Sequence, residues 1–169
     1  MTVCAWINSE MEHSTPMVMI GMAVLFTLGG ILVRAVTGSP YRMMLELGIS
    51  DLVPPVWLMT FLWTVVLFTV GGAAGFILGY RERGLEGEKY KGCMLFVLLA
   101  VLELCWYPTL FGAGLVFISL LESVAILCFS VGVTICFYRI SKFAGMILLL
   151  HDFWLIYMMI LNFAIFFRN

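Results

Sequence analysis

Five stretches of the chain stay apolar for the length of a membrane-spanning helix, and most charged residues fall between them. A helix that crosses a bilayer needs roughly 20 predominantly apolar residues. The first stretch runs from about Pro16 to Val36 and carries no charge until Arg34, with Pro16 well placed for a first helical turn. The second, from about Pro54 to Tyr80, has no charged residue. Glu103 interrupts the third (Gly92 to Phe111), Glu122 the fourth (Gly114 to Tyr138), and His151 and Asp152 the fifth (Phe143 to Phe167). Polar/apolar alternation and two-residue hairpin signals are absent, which argues against a lipid-embedded barrel. The pattern predicts an all-α membrane protein, a single five-helix transmembrane domain over residues 1–169. The connection 37–53 is its longest, punctuated by Gly38, Ser39 and Pro40 and followed by Pro54.

Composition strengthens this picture. Of the 169 residues 63% are hydrophobic and only 11% charged, against about a quarter charged in an ordinary soluble domain. Such a chain cannot cover a globule with water-compatible side chains, so the lipid bilayer is its expected surroundings. A net charge of −1 supplies no field for nucleic acid. Residues 1–15 hold no Lys or Arg and include Glu10, Glu12 and His13, a poor signal-peptide start, so the first apolar segment is expected to remain as a helix. Arg81, Arg83, Lys89, Lys91, Arg139 and Lys142 fall on the N-terminal side of the bundle and Arg34, Arg42 and Arg168 on the other, which predicts a cytoplasmic N-terminus. The cysteines (Cys4, Cys93, Cys105, Cys128, Cys136) contain no C-x-x-C pair and read as small buried hydrophobes, with no metal site.

Gly71, Gly75 and Gly79 repeat at four-residue spacing on the second helix, a smooth ridge where another helix can approach closely, within the bundle or in a homodimer. Independently, Glu103 with Trp106, His151 with Trp154 and Met158, and Trp57 with Phe61 and Thr64 each share a helix face. Converging, these stripes would make an aromatic-lined hollow for a large, flat, mostly apolar ligand. The competing role for Trp57 and Trp106, near segment ends, is anchoring at the membrane interface. Ionisable groups in a membrane need a partner or a watery cavity. Glu103 and His151 are the candidates for the hollow; Glu122 and Asp152 suit structural or dimer contacts.

Several of these residues also fall in a known pattern. Pro54-Pro55-Val56-Trp57, then Leu62-Trp63-Thr64 and Gly71, resembles the second-helix signature of the translocator protein (TspO/MBR, tryptophan-rich sensory protein) family. Trp106-Tyr107-Pro108 with Phe111 is similar to its third-helix motif, and Trp154, Tyr157, Leu161 and Asn162 keep the spacing of its fifth. Departures cluster where the family binds ligand: Thr60-Phe61 replaces a Gly-Pro pair, Leu67 a tyrosine, Glu103 an asparagine, and Leu150-His151 a Pro-Tyr pair. The resemblance implies a five-helix fold and a pocket for tetrapyrroles such as protoporphyrin IX, or similar apolar ligands. It also implies that 37–53 acts as a lid, with Tyr41 and Arg42 touching the ligand. No cofactor is required; porphyrin or haem enters as a ligand, with His151 chemically able to serve as an axial donor.

Rival readings are a transporter of porphyrin-like or other apolar solutes, a membrane enzyme, and a scaffold assembled through the glycine ridge. The broken or repeated segments of many carriers are not evident, and no H-E-x-x-H, G-x-S-x-G or phosphate-binding glycine loop occurs. No catalytic residue is assigned, although family resemblance carries a light-dependent porphyrin degradation that would use pocket tryptophans. Tyr157 is followed by no Lys or Arg until Arg168, so a cholesterol motif is not expected.

Overall fold

The computed structural model describes residues 14–38, 52–81 and 84–168. Five helices long and apolar enough to cross a membrane account for nearly all of them. They are α1 (Pro16–Thr37), α2 (Val56–Gly79), α3 (Glu86–Tyr107), α4 (Val116–Ile140) and α5 (Lys142–Arg168). A π-helical turn, Pro108–Gly112, prolongs α3. Among the described residues there is no strand. Large apolar side chains such as Leu25, Leu32, Val97, Leu121 and Phe153 lie exposed along the helices, as they must where acyl chains are the solvent.

Helix ends follow local chemistry. Pro54, as the residue before a proline, avoids the α region, and with Pro55 also non-helical (ψ 142°) α2 begins at Val56. At the other end, Lys89 Nζ donates to the carbonyls of Leu78 and Tyr80 at 2.6 and 3.1 Å, satisfying acceptors the helix leaves open. The third helix starts at Glu86, six residues before the sequence-based boundary at Gly92. Glu86 and Glu88 stand in its first turn, where the helix dipole favours negative charge, so the charged run that reads as a loop is partly helix. Pro108 cannot donate to the ladder; the chain widens there, and Ala113 N–H reaches the Pro108 carbonyl at 2.9 Å.

The α2 ridge is spent inside the bundle. A Cβ on Gly71 would lie 2.6 Å from the Met22 carbonyl oxygen, and one on Gly75 2.6 Å from that of Val18. At Gly79 it would meet the Thr15 nitrogen at 2.9 Å. The backbones of α1 and α2 thus touch along this line, and the three glycines are not free to form a contact between subunits. Close approach recurs between α4 and α5, where Gly145 lies under Tyr138 and only Ser141 separates the helices. α3 and α4 meet through the stacked rings of Phe96 and Phe137, 6.2 Å apart. Helix α1 is the outlying member: only Ala23 and Gly30 along it are buried.

Candidate functional site

All five helices contribute to a cavity of about 60 Å³ between them. Phe26, Gly30 and Val33 of α1 and Trp63, Val66 and Leu67 of α2 form one side. Glu103, Leu104, Trp106 and Tyr107 of α3 face them. Ser123 and Ile126 of α4 close the floor with His151, Trp154, Leu155 and Met158 of α5.

Glu103, Trp106, His151, Trp154 and Met158, marked out in the sequence, therefore come together. Trp106 is buried, at 8% exposure, and its Nε1 donates to the Ser119 carbonyl at 3.0 Å, which fixes the indole plane. Trp57 and Phe61 do not join them. They are 70% and 59% exposed and lie outside the cavity lining. The reason is helical phase: Trp63 follows Phe61 by two residues, roughly 200° around the axis, so the two rings point to nearly opposite sides. The inward α2 indole is Trp63, at 4.8 Å between ring centroids from Tyr107, with the Arg34 guanidinium 5.9 Å from the Trp63 ring. Tyr41, Arg42 and most of the lid-like loop lie outside the described residues. The two ends of that connection are tied to the cavity helices: Tyr107 donates to the Gly38 carbonyl and Tyr157 to that of Leu52, each at 3.1 Å.

A polar chain crosses the bundle behind the cavity. His151, 2% exposed, brings Nε2 to 2.6 Å from Glu103 Oε1, although the contact is not an aligned hydrogen bond and leaves that oxygen without a donor. The other ring nitrogen, Nδ1, lies 3.0 Å from Ser130 Oγ. Ser130 Oγ in turn donates to Asp152 Oδ1, and Thr134 Oγ1 donates to Asp152 Oδ2 at 2.9 Å. Asp152 is thus held inside the bundle by two hydroxyls, and Glu103 and His151 pair across α3 and α5. With both nitrogens of His151 engaged, axial binding of a haem iron requires the Glu103 contact to open first. Glu122 stands apart, with Oε1 3.4 Å from the Thr109 hydroxyl and Oε2 buried without a partner.

Ser130 and Thr134 escaped the sequence reading. Their signal is their spacing: two hydroxyls at i, i+4 in an otherwise apolar helix, on the buried face that also presents Ser119 and Ser123. Among the described residues no group of three or more His, Cys, Asp or Glu is placed to hold a metal ion.

The sequence profile of the TspO/MBR family matches residues 19–168, nearly the whole described bundle. The chain is also similar to the tryptophan-rich protein TspO of Chlorobaculum tepidum. The two are 30% identical over 112 residues, which cover 66% of this chain and 70% of that protein. No solved structure matches it significantly. With five membrane-length helices around one aromatic cavity and a family match along almost their full extent, the chain belongs to the TspO/MBR family.

Proposed function

We propose that this multi-pass membrane protein binds a tetrapyrrole, or a similar flat and mostly apolar ligand, in the cavity between its helices. The observation that carries this reading is the cavity wall itself. Three indoles (Trp63, Trp106, Trp154), the Tyr107 phenol and the Phe26 ring surround a space whose remaining lining is mostly aliphatic, with its ionisable spot at Glu103 and His151. Aromatic faces give large contact area with defined geometry, and a few convergent polar groups set orientation. Arg34, against Trp63 on the side toward Gly38, offers a partner for an acidic substituent such as a propionate. In the same reading the N-terminal side of the bundle faces the cytoplasm, following the six-to-three distribution of Lys and Arg.

At about 60 Å³ the cavity has room for little more than a few water molecules, since even benzene occupies an engineered cavity of roughly 150 Å³. A ring ligand therefore binds by parting the walls. Helix α1 has the least buried surface to lose and is the wall expected to yield.

Purified protein titrated with protoporphyrin IX is expected to lose tryptophan fluorescence saturably. Trp154→Phe and Trp63→Phe each weaken binding, by about 0.5–1.5 kcal/mol for the lost stacking. Trp57→Phe, outside the cavity, leaves the affinity as it was. A wild type that shows no saturable quenching removes the proposal.

A further inference from the structure

The apolar lining is broken at one place, where Glu103 and His151 face each other from α3 and α5. Counting donors fixes the character of that spot. Ser130 has one hydroxyl hydrogen and gives it to Asp152, so its oxygen accepts from Nδ1–H of His151. Thr134 gives its own hydrogen to the other Asp152 oxygen. Nε2 of His151 then faces Oε1 of Glu103 at 2.6 Å, off the line of a hydrogen bond.

Of the other polar hydrogens of the lining, the indole N–H groups of Trp63 and Trp154 make no hydrogen bond among the described residues, and the rest are committed. The Tyr107 hydroxyl goes to Gly38, the Trp106 indole N–H to Ser119 and the Ser123 hydroxyl to Leu120, each at a backbone carbonyl. What this end of the cavity presents is acceptor capacity, on a Glu103 oxygen that is buried without an aligned donor. From the surrounding helices the pair faces Asp152 through Ser130, Tyr107 one turn along α3, and Arg34 of α1 on the far side of Trp63. Helix α2 brings only Trp63, Val66 and Leu67 to the lining, none of them titratable.

We propose that the Glu103–His151 pair recognises an apolar aromatic ligand carrying a protonated amine. The ammonium donates its hydrogen bonds to the Glu103 carboxylate, with the neighbouring indole faces favouring the cation further. The bound ammonium and the Glu103 carboxylate offset each other, so no uncompensated charge is buried. A ligand carboxylate in the same place would add a second negative charge beside Glu103 and near Asp152.

The inference rests on the cavity being a ligand site, and its test separates the two ideas. The full chain in detergent micelles is titrated with 4-nitrobenzylammonium and with its uncharged isostere 4-ethylnitrobenzene, both quenchers of tryptophan. The ammonium is expected to bind at least about tenfold tighter than the isostere. Glu103→Gln brings the ammonium down to the affinity of the isostere. Equal, saturable binding of both probes overturns the proposal and leaves the cavity as a ligand site. No saturable quenching by either probe overturns the proposal, and the protoporphyrin IX titration then decides separately whether the cavity is a ligand site. The wild-type measurements alone decide, whether or not the Glu103→Gln protein folds.

Discussion

Ser130 holds the polar chain together because one hydroxyl serves two partners. It satisfies Asp152 Oδ1 with its hydrogen and the His151 ring with its oxygen, in a place without bulk water. Thr134 serves Asp152 alone. Removing a group that leaves a buried polar atom unpaired costs about 1–3 kcal/mol per atom. Ser130→Ala orphans an Asp152 oxygen and a histidine nitrogen together, whereas Thr134→Val orphans one oxygen. Ser130→Ala is therefore expected to lower the unfolding free energy of the micellar protein by about twice as much as Thr134→Val. Equal losses in denaturant titrations would show that the hydroxyl does not bridge. The same residues mark what a sequence can disclose at this scale. Glu103 and His151 stand out as lone ionisable groups in apolar helices and so draw attention. Ser130 and Thr134 do not, because small hydroxyl residues are common in membrane helices, where their hydrogens can turn back to their own backbone, as those of Thr27 and Thr60 do.

At the scale of helices, the contact between α1 and α2 rests on missing side chains. The Cβ of an alanine at position 75 would lie 2.6 Å from the Val18 carbonyl oxygen and 2.7 Å from the Met19 Cα, and backbone atoms cannot turn aside. At position 72 it would meet only the Ala23 Cβ at 3.8 Å, an ordinary contact. Gly75→Ala should therefore push α1 off its seat and cost about 1–3 kcal/mol. Gly72→Ala should be neutral or gain up to about 1 kcal/mol from helix propensity. Thermal unfolding of the two variants side by side checks this, and matching shifts would disprove the close packing. The glycine spacing is visible in the sequence, but its partner is not, since a small-residue ridge suits a neighbour in the bundle as well as one in a second subunit. Helix number was legible because lipid demands a minimum apolar length five times over. Helix phase was not. α2 carries no charge anywhere, and its lipid-facing side is as apolar as its buried side, so nothing in its composition tells Trp57 from Trp63. The family motif contains both tryptophans and does not separate them either.

For the molecule as a whole, the cavity is the volume that five packed helices leave unfilled, and Leu67 governs much of it. Its Cδ1 occupies the notch created by the absent side chain of Gly30, where an added Cβ would come within 2.3 Å of it, and both residues line the hollow. The position also departs from the tyrosine of the family pattern, so this chain has an aliphatic plug where a phenol would otherwise reach into the site. Stability and ligand capacity oppose each other at such a residue. Side chains that fill the hollow hold α1 against α2, and a ring ligand has to displace them. Leu67→Ala should lower the unfolding free energy by about 0.5–3 kcal/mol, less than a fully buried leucine loses because Leu67 is half-buried. In the same preparation it should tighten protoporphyrin IX binding, because part of the work of opening the walls is already done in the free protein. Fluorescence titration and denaturant unfolding of one sample measure both effects. A variant that loses stability without gaining affinity would mean that cavity volume does not limit binding, and that the ligand is held where Leu67 has no influence.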